Sequence, residues 1–347
     1  MAKVRLAMGR ALAGSAMLVC NLLASAHAQS TAEIAAYKGA DRTSRLESGA
    51  RNEGALALYA VGTQSDPVYQ AFGKKYPFLK VDIVRADSPT MTRRLMEEYA
   101  AQTYLADAIE LNTGAMAALK EAGILQAFDS PELAAYRKEA VEPGRHWALE
   151  YESYLSLGYN TKLVSDDQAP RTLDDLLDPK WRGKMAIAGT STLANWVGAL
   201  LRDKDEAFVR KLGAQQIKVF EISARAVANM VVSGEVPLSP TIFDSHMANS
   251  RDQGATVAWR ALGGVYPSTN AVALASRAKH PHAALLYVDF ALSKEGQEIN
   301  QKLGNASGRT DIVNTSRPAH VYYLADEPNY VANYEKWLAL GRQAFGK

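Results

Sequence analysis

The sequence predicts an α/β protein of two compact units joined by two extended crossings. Three observations carry that expectation. Short apolar runs alternate with amphipathic helical stretches in regular order, which implies open, mostly parallel sheets flanked by helices. Residues 146–160 form an unusually long alternating run. Its odd positions are Trp147, Leu149, Tyr151, Ser153, Leu155, Leu157 and Tyr159, and its even positions are small or polar apart from Tyr154. That period-2 pattern spans about twice the usual strand length, enough to leave one unit and enter another. A second extended stretch, residues 264–275, is placed to carry the chain back.

The elements follow in order. Residues 31–53 read as amphipathic helix, with Ile34, Tyr37 and Leu46 apolar among charges. Residues 55–61 are a short apolar strand of the buried parallel kind. Gly62-Thr63-Gln64-Ser65-Asp66-Pro67 then turns the chain, with Asp66 able to cap a helix opened by Pro67. Residues 80–85 alternate as a strand, and Ser88-Pro89 repeats the cap-and-proline device before a helix over 91–102. Residues 107–111 and 113–122 supply a third strand and helix, the latter ended by Gly123. After the long crossing, residues 172–184 open the second unit. Strands are expected at 185–188, 216–221, 236–243 and 255–259. Helices are expected after Thr190-Ser191-Thr192 and after the cap Ser223. Residues 281–292, 294–303 and 330–345 read as the closing helices. The two units are expected at 29–150 plus 268–347 and at 151–267.

The first residues stand apart. Lys3, Arg5 and Arg10 precede an apolar core over 11–23, and Ala26-His27-Ala28 has the small-x-small form of a cleavage site. This is a secretory signal peptide (residues 1–28) cut after Ala28, too short in its apolar run to span a membrane. The single cysteine, Cys20, lies inside it, so the mature chain uses neither disulfides nor thiol chemistry. The mature chain has 36 basic and 37 acidic residues among 319. So even a balance argues against nucleic acid or a membrane surface as partner; a monomer is expected, and the signal peptide implies the periplasm.

In open α/β sheets, ligands bind outside the carboxyl ends of the strands. Here those ends share one composition: Thr63, Gln64 and Ser65; Ser88 and Thr90; Thr190, Ser191 and Thr192; and Ser223. Each set stands where a helix begins. Helix N-termini present free N–H groups and partial positive charge, and so favour anions. Arg225 falls in the first turn of its helix, within reach of the same place. Each of these residues is also an ordinary N-cap; it is the repetition on both units that points to a ligand. Tyr59, Tyr151, Tyr154 and Trp196 read as packing, whereas Tyr266, beside Pro267 in the return crossing, is the best aromatic candidate for the cleft. No Gly-x-Ser-x-Gly, Gly-Lys-Ser/Thr phosphate loop or His-Glu-x-x-His pattern occurs. No catalytic residue is assigned. Asp244 with His246 is weak evidence for a metal or a hydrolytic dyad.

Leu58-Tyr59-Ala60, Ala71-Phe72-Gly73-Lys74-Lys75-Tyr76-Pro77, Gly158-Tyr159-Asn160-Thr161-Lys162-Leu163 and residues 172–184 together resemble family 1 periplasmic solute-binding proteins. Residues 231–238 and 270–296 fit the same pattern, and the subgroup most alike is the ferric-iron-binding one. The resemblance implies a two-lobed type II periplasmic binding protein fold. It also implies a periplasmic role: capture of a small-molecule ligand between the lobes and delivery to an ABC permease in the inner membrane, with no cofactor. The subgroup's iron carriers use adjacent tyrosines after the Gly-Glu strand. Here that stretch is Thr241-Ile242-Phe243-Asp244-Ser245-His246, without tyrosine, and Tyr322-Tyr323 lie far downstream. The expected ligand is therefore a small organic or oxyanionic anion, touching Thr63, Gln64, Ser65, Ser88, Thr90, Thr190, Ser191, Thr192, Ser223, Arg225, Asp244 and Tyr266. Ferric iron on Asp244 and His246 is the alternative, and a periplasmic hydrolase on the same scaffold stands below it.

Overall fold

The computed structural model describes residues 30–61, 63–314, 317–323 and 330–346. The expected signal peptide and Cys20 lie outside the described residues. No helix among those described is long and apolar enough to cross a membrane.

Helices α1 (Thr31–Ala35) and α2 (Arg42–Glu53) lead to strand β1 (Ala55–Ala60). Gly54 ends α2 at φ 69°, a left-handed position that suits glycine. Helix α3 (Asp66–Lys75), strand β2 (Lys80–Arg85), helix α4 (Ser88–Ala100), strand β3 (Ala108–Leu111), helix α5 (Thr113–Glu121) and strand β4 (Leu125–Gln126) follow. The cap positions sit one residue earlier than the sequence indicates. Ser65 precedes α3, so Asp66 is its first residue, and Asp87 rather than Ser88 caps α4 by accepting from Thr90 N. One-residue slips of this kind are usual at helix ends.

The long alternating run divides into β5 (Trp147–Ser153) and β6 (Leu155–Asn160). Strand β5 belongs to one sheet and β6 to another, so the chain changes sheets at Tyr154. The switch falls on the one bulky residue that interrupts the alternation. The pattern does not leave a polar face in water, however. Both faces are buried, and the acids on the even positions are paired: Asn270 donates to Glu150 at 2.7 Å, and Tyr154 donates to Glu152 at 2.6 Å. A buried polar group with partners avoids the cost that would otherwise forbid it.

The second body adds β7 (Ala186–Ala188), α6 (Ser191–Asp203), α7 (Glu206–Gly213), β8 (Lys218–Phe220), α8 (Ala224–Ser233), β9 (Leu238–Phe243), α9 (Asp244–Asp252) and β10 (Val257–Arg260). The chain returns through β11 (Ser268–Ala275) and continues into α10 (Pro281–Leu292), α11 (Lys294–Lys302) and α12 (Tyr330–Phe345).

The first sheet has the order β2-β1-β3-β11-β4, with β5 also on β11. β1 pairs in parallel with β2 and β3, while β11 runs antiparallel to its neighbours. The second body contains β10-β6-β9, paired antiparallel, and the parallel pair β7-β8. A parallel bridge from Met185 to Leu238 links the two pieces. The parallel core expected of helix-connected strands is thus present in both bodies. The crossing strands β5, β6 and β11 add antiparallel pairs because they arrive without an intervening helix.

One boundary differs from expectation. The sequence places all of residues 268–347 in the first body, yet α12 packs on the second. Trp337 lies 5.4 Å from the Tyr266 ring, and Phe345 stacks on Trp196 at 5.6 Å. Gly198 of α6 permits the approach: a Cβ there would come within 2.6 Å of the Trp337 ring. The chain therefore crosses between the bodies a third time, after the Glu152–Ala306 bridge and alongside the Val265–Val321 bridge.

Candidate functional site

Strands β8, β7 and β9 run parallel, so their carboxyl ends share one edge. Helix α6 begins after β7, α8 after β8 and α9 after β9. Three helix N-termini therefore meet at one edge of the second body. Facing them from the first body are Gln64, just past β1, Tyr151 and Ser153 at the end of β5, and Ser268 at the start of β11. The walls enclose a cavity of about 430 Å³, within the range of small-molecule sites.

Six of the expected residues line it: Gln64, Thr190, Ser191, Thr192, Ser223 and Arg225. They are not alike. Ser223 is engaged as the cap of α8, accepting from Ala226 N at 3.2 Å. Thr190 stands at the cap position of α6 but its side chain makes no cap hydrogen bond. The first N–H groups of α6 therefore have no side-chain cap from Thr190. Arg225 donates from Nη1 to the backbone oxygen of His246 at 3.2 Å. No carboxylate pairs with it among the described residues. Gln64 is fixed by donating from Nε2 to Asn305 Oδ1 at 3.0 Å, and the Tyr151 hydroxyl lies 3.5 Å from its Oε1.

The remaining expected residues go elsewhere. Thr63 is exposed and outside the cavity, its carbonyl accepting from Asp66 N. Ser65 is only 2% exposed and is packed into the first body rather than presented to the cavity. Thr90 is held by Asp87, which accepts from both its N–H and its hydroxyl. Ser88 borders a different groove, about 540 Å³, with Asn112 and the exposed face of α4. Tyr266, at 1% exposure, is core: it packs against Trp337 and Tyr322. Asp244, also at 1%, points to the crossing. Its Oδ1 accepts from Ser153 Oγ, Tyr154 N and Ser245 N, each at 2.8 Å. The reason is common to several of these. A short polar side chain next to a strand end meets buried donors or acceptors as readily as solvent, and the sequence does not say which.

Sequence reasoning passes over other lining residues. The alternating pattern marks Tyr151 as packing, but its ring borders the cavity. Burial, reinforced by the acids Glu150 and Glu110, pushes its phenol well above the ordinary range. Glu221, in the loop between β8 and α8, presents an exposed carboxylate. Its position between a strand end and a cap is the signal that could have found it. His246 lines the cavity with its ring edge-on to Phe243, centroids 5.5 Å apart. Its Nδ1 is buried with no hydrogen-bond partner. Burial and the Arg225 cation hold its pKa down to about 4, so the ring is neutral at physiological pH. Of the lining residues only Glu221 and Arg225 are charged, and Tyr151 is the one tyrosine. The Asp244–His246 metal pair is not assembled, because Asp244 faces the crossing while His246 faces the cavity.

This architecture recurs in solved proteins. The iron-bound HitA of Pseudomonas aeruginosa superposes with a TM-score of 0.65 at 22% identity, covering 84% of this chain and 99% of that one. The periplasmic binding protein AfuA of Actinobacillus pleuropneumoniae, with fructose-6-phosphate bound, gives 0.57 at 21% identity over 84% and 97%. An uncharacterized protein of Haemophilus influenzae is 24% identical over 276 residues, 75% of this chain and 79% of its own. The fold is that of the type II periplasmic binding proteins. Residues 105–318 match the model of the bacterial extracellular solute-binding proteins, and the chain belongs to that family, the solute-binding proteins of ABC transporters.

Proposed function

We propose that the protein works in the periplasm, capturing a small anionic solute between its two bodies and delivering it to an inner-membrane ABC permease. The signal peptide read from residues 1–28 supports the compartment. The observation that carries the ligand class is Arg225: a guanidinium in the inter-body cavity whose one hydrogen-bond partner there is a backbone carbonyl. An anion would supply its missing counter-charge. The first turn of α6, without a Thr190 cap, would add N–H donors, and Thr192 and Ser191 would add hydroxyls.

The bodies would close about the crossings, residues 151–156 and 266–270. Closure needs a ligand that binds the closed form better than the open one. Contacts from both sides, Gln64 and Tyr151 on one and Arg225 on the other, provide that difference. Ferric iron would have to draw on Tyr151, and a phenol pushed up by burial and two acids is a poor source of phenolate. That weighs for the organic or oxyanionic ligand and against iron.

The test is isothermal titration of the mature protein with carboxylates, phosphate esters and ferric citrate, repeated on Arg225→Met. A charge-assisted hydrogen bond contributes about 1.5–3 kcal/mol, so the variant should bind the anion about 10- to 150-fold more weakly. Equal affinity in wild type and variant would remove this site.

A further inference from the structure

Resting on the anion-site reading, we infer that the solute is a zwitterion: an anionic head on Arg225 and an ammonium group paired with Glu221. Glu221 is the second charged side chain of the cavity, and it is as uncompensated as Arg225. The two do not pair with each other, and among the described residues neither has an ionic partner. Glu221 lies close against Gly189, the residue before the α6 cap. A Cβ on Gly189 would lie 2.5 Å from Glu221 Oε1. The carboxylate therefore lies over bare backbone beside the start of α6, while Arg225 stands in the first turn of α8. Glu221 also borders an outer groove with Lys218 and Arg342, yet it forms no ion pair with either.

A cavity with one cation and one anion held apart is formally neutral. A sphere of its volume is roughly 9 Å across, close to the ~8 Å screening length at physiological salt, so a ligand on Arg225 still feels Glu221. A dianion would meet repulsion there, and a plain monoanion would leave the carboxylate unmatched. A molecule of opposite charges in the same order satisfies both, and the unmatched charge works against the others. The neutral His246 ring leaves this balance unchanged.

The experiment is calorimetric titration with matched probes: propionate against β-alanine, and ethyl phosphate against 2-aminoethyl phosphate. Each is run on the wild type, Glu221→Gln and Arg225→Met. Glu221 is exposed, so glutamine fits without repacking. The expected result is tighter binding of both amino-bearing probes by up to about fivefold, the upper range for an exposed ion pair. Glu221→Gln should erase the preference, and Arg225→Met should weaken all four. If the wild type shows no preference, or Glu221→Gln retains it, while Arg225→Met still abolishes binding, the zwitterion is wrong and the anion site stands. Binding that ignores Arg225→Met, or no binding by any probe, overturns both.

Discussion

Asp244 offers a decisive test, because two roles for it predict opposite results. The sequence places it among ligand contacts; the structure places it inside the crossing, where Oδ1 receives Ser153 Oγ, Tyr154 N and Ser245 N. Substitution by alanine removes the acceptor for all three donors. Ser153 retains a partner in Ser245 Oγ at 2.6 Å. The two backbone N–H groups do not, and a buried donor left without a partner costs about 1–3 kcal/mol. Asp244→Ala should therefore cost about 2–6 kcal/mol. Asp244→Asn keeps a carbonyl oxygen in the same place and should cost about 1 kcal/mol. Urea unfolding followed by tryptophan fluorescence reads this directly, since Trp181, Trp196 and Trp337 lie in the second core. A ligand contact would behave the other way, with stability unchanged and affinity lost in both variants. If Asp244→Ala unfolds at the wild-type urea concentration, the crossing role is wrong.

Two further outcomes test the packing and the electrostatics. Trp337→Ala should cost about 3–5 kcal/mol, the usual penalty for emptying a buried indole, and should free α12 for proteolysis after Tyr334; an unchanged cleavage pattern would refute its docking on α6. His246 has a folded pKa of about 4 against 6.5 unfolded. The unfolded chain therefore takes up a proton first, and the stability this group contributes, full above pH 6.5, is lost as pH falls towards 4. His246→Gln should flatten that part of the stability profile relative to wild type, and parallel profiles would show that the ring is not held neutral.

What the sequence makes legible depends on how local each signal is. The crossing is legible because period-2 alternation over so many residues fits little besides an extended strand, and even its break shows in the sequence as Tyr154. The β–α alternation is legible because short apolar or alternating runs such as β1 and β2 are each followed by a turn and an amphipathic helix. The placement of α12 is not. Its amphipathic pattern says that one face is buried and not against what; the answer lies in Gly198, a small residue far away in sequence that lets Trp337 approach.

The helix starts show why the site is only half visible in the sequence. At all four loops the sequence offers Ser, Thr, Asp or Asn before a helix, and the local chemistry is the same. What differs is whether the donors are already used. At α4, Asp87 takes the cap and holds Thr90 with it. At α3, Ser65 is buried and its side chain makes no cap hydrogen bond. At α8, Ser223 caps and leaves Arg225 as the reactive group. At α6, Thr190 caps nothing. A ligand is attracted by the electrostatics that remain after the fold has satisfied itself, and that remainder is set by tertiary neighbours. In this chain it consists of the first turn of α6, Arg225 and Glu221, all on the second body. The first body contributes Gln64 and Tyr151, which are neutral. Under the proposed site, the charges that would select the solute sit on one side of the cleft and the neutral groups that would meet it on closure sit on the other, so recognition and movement would be coupled.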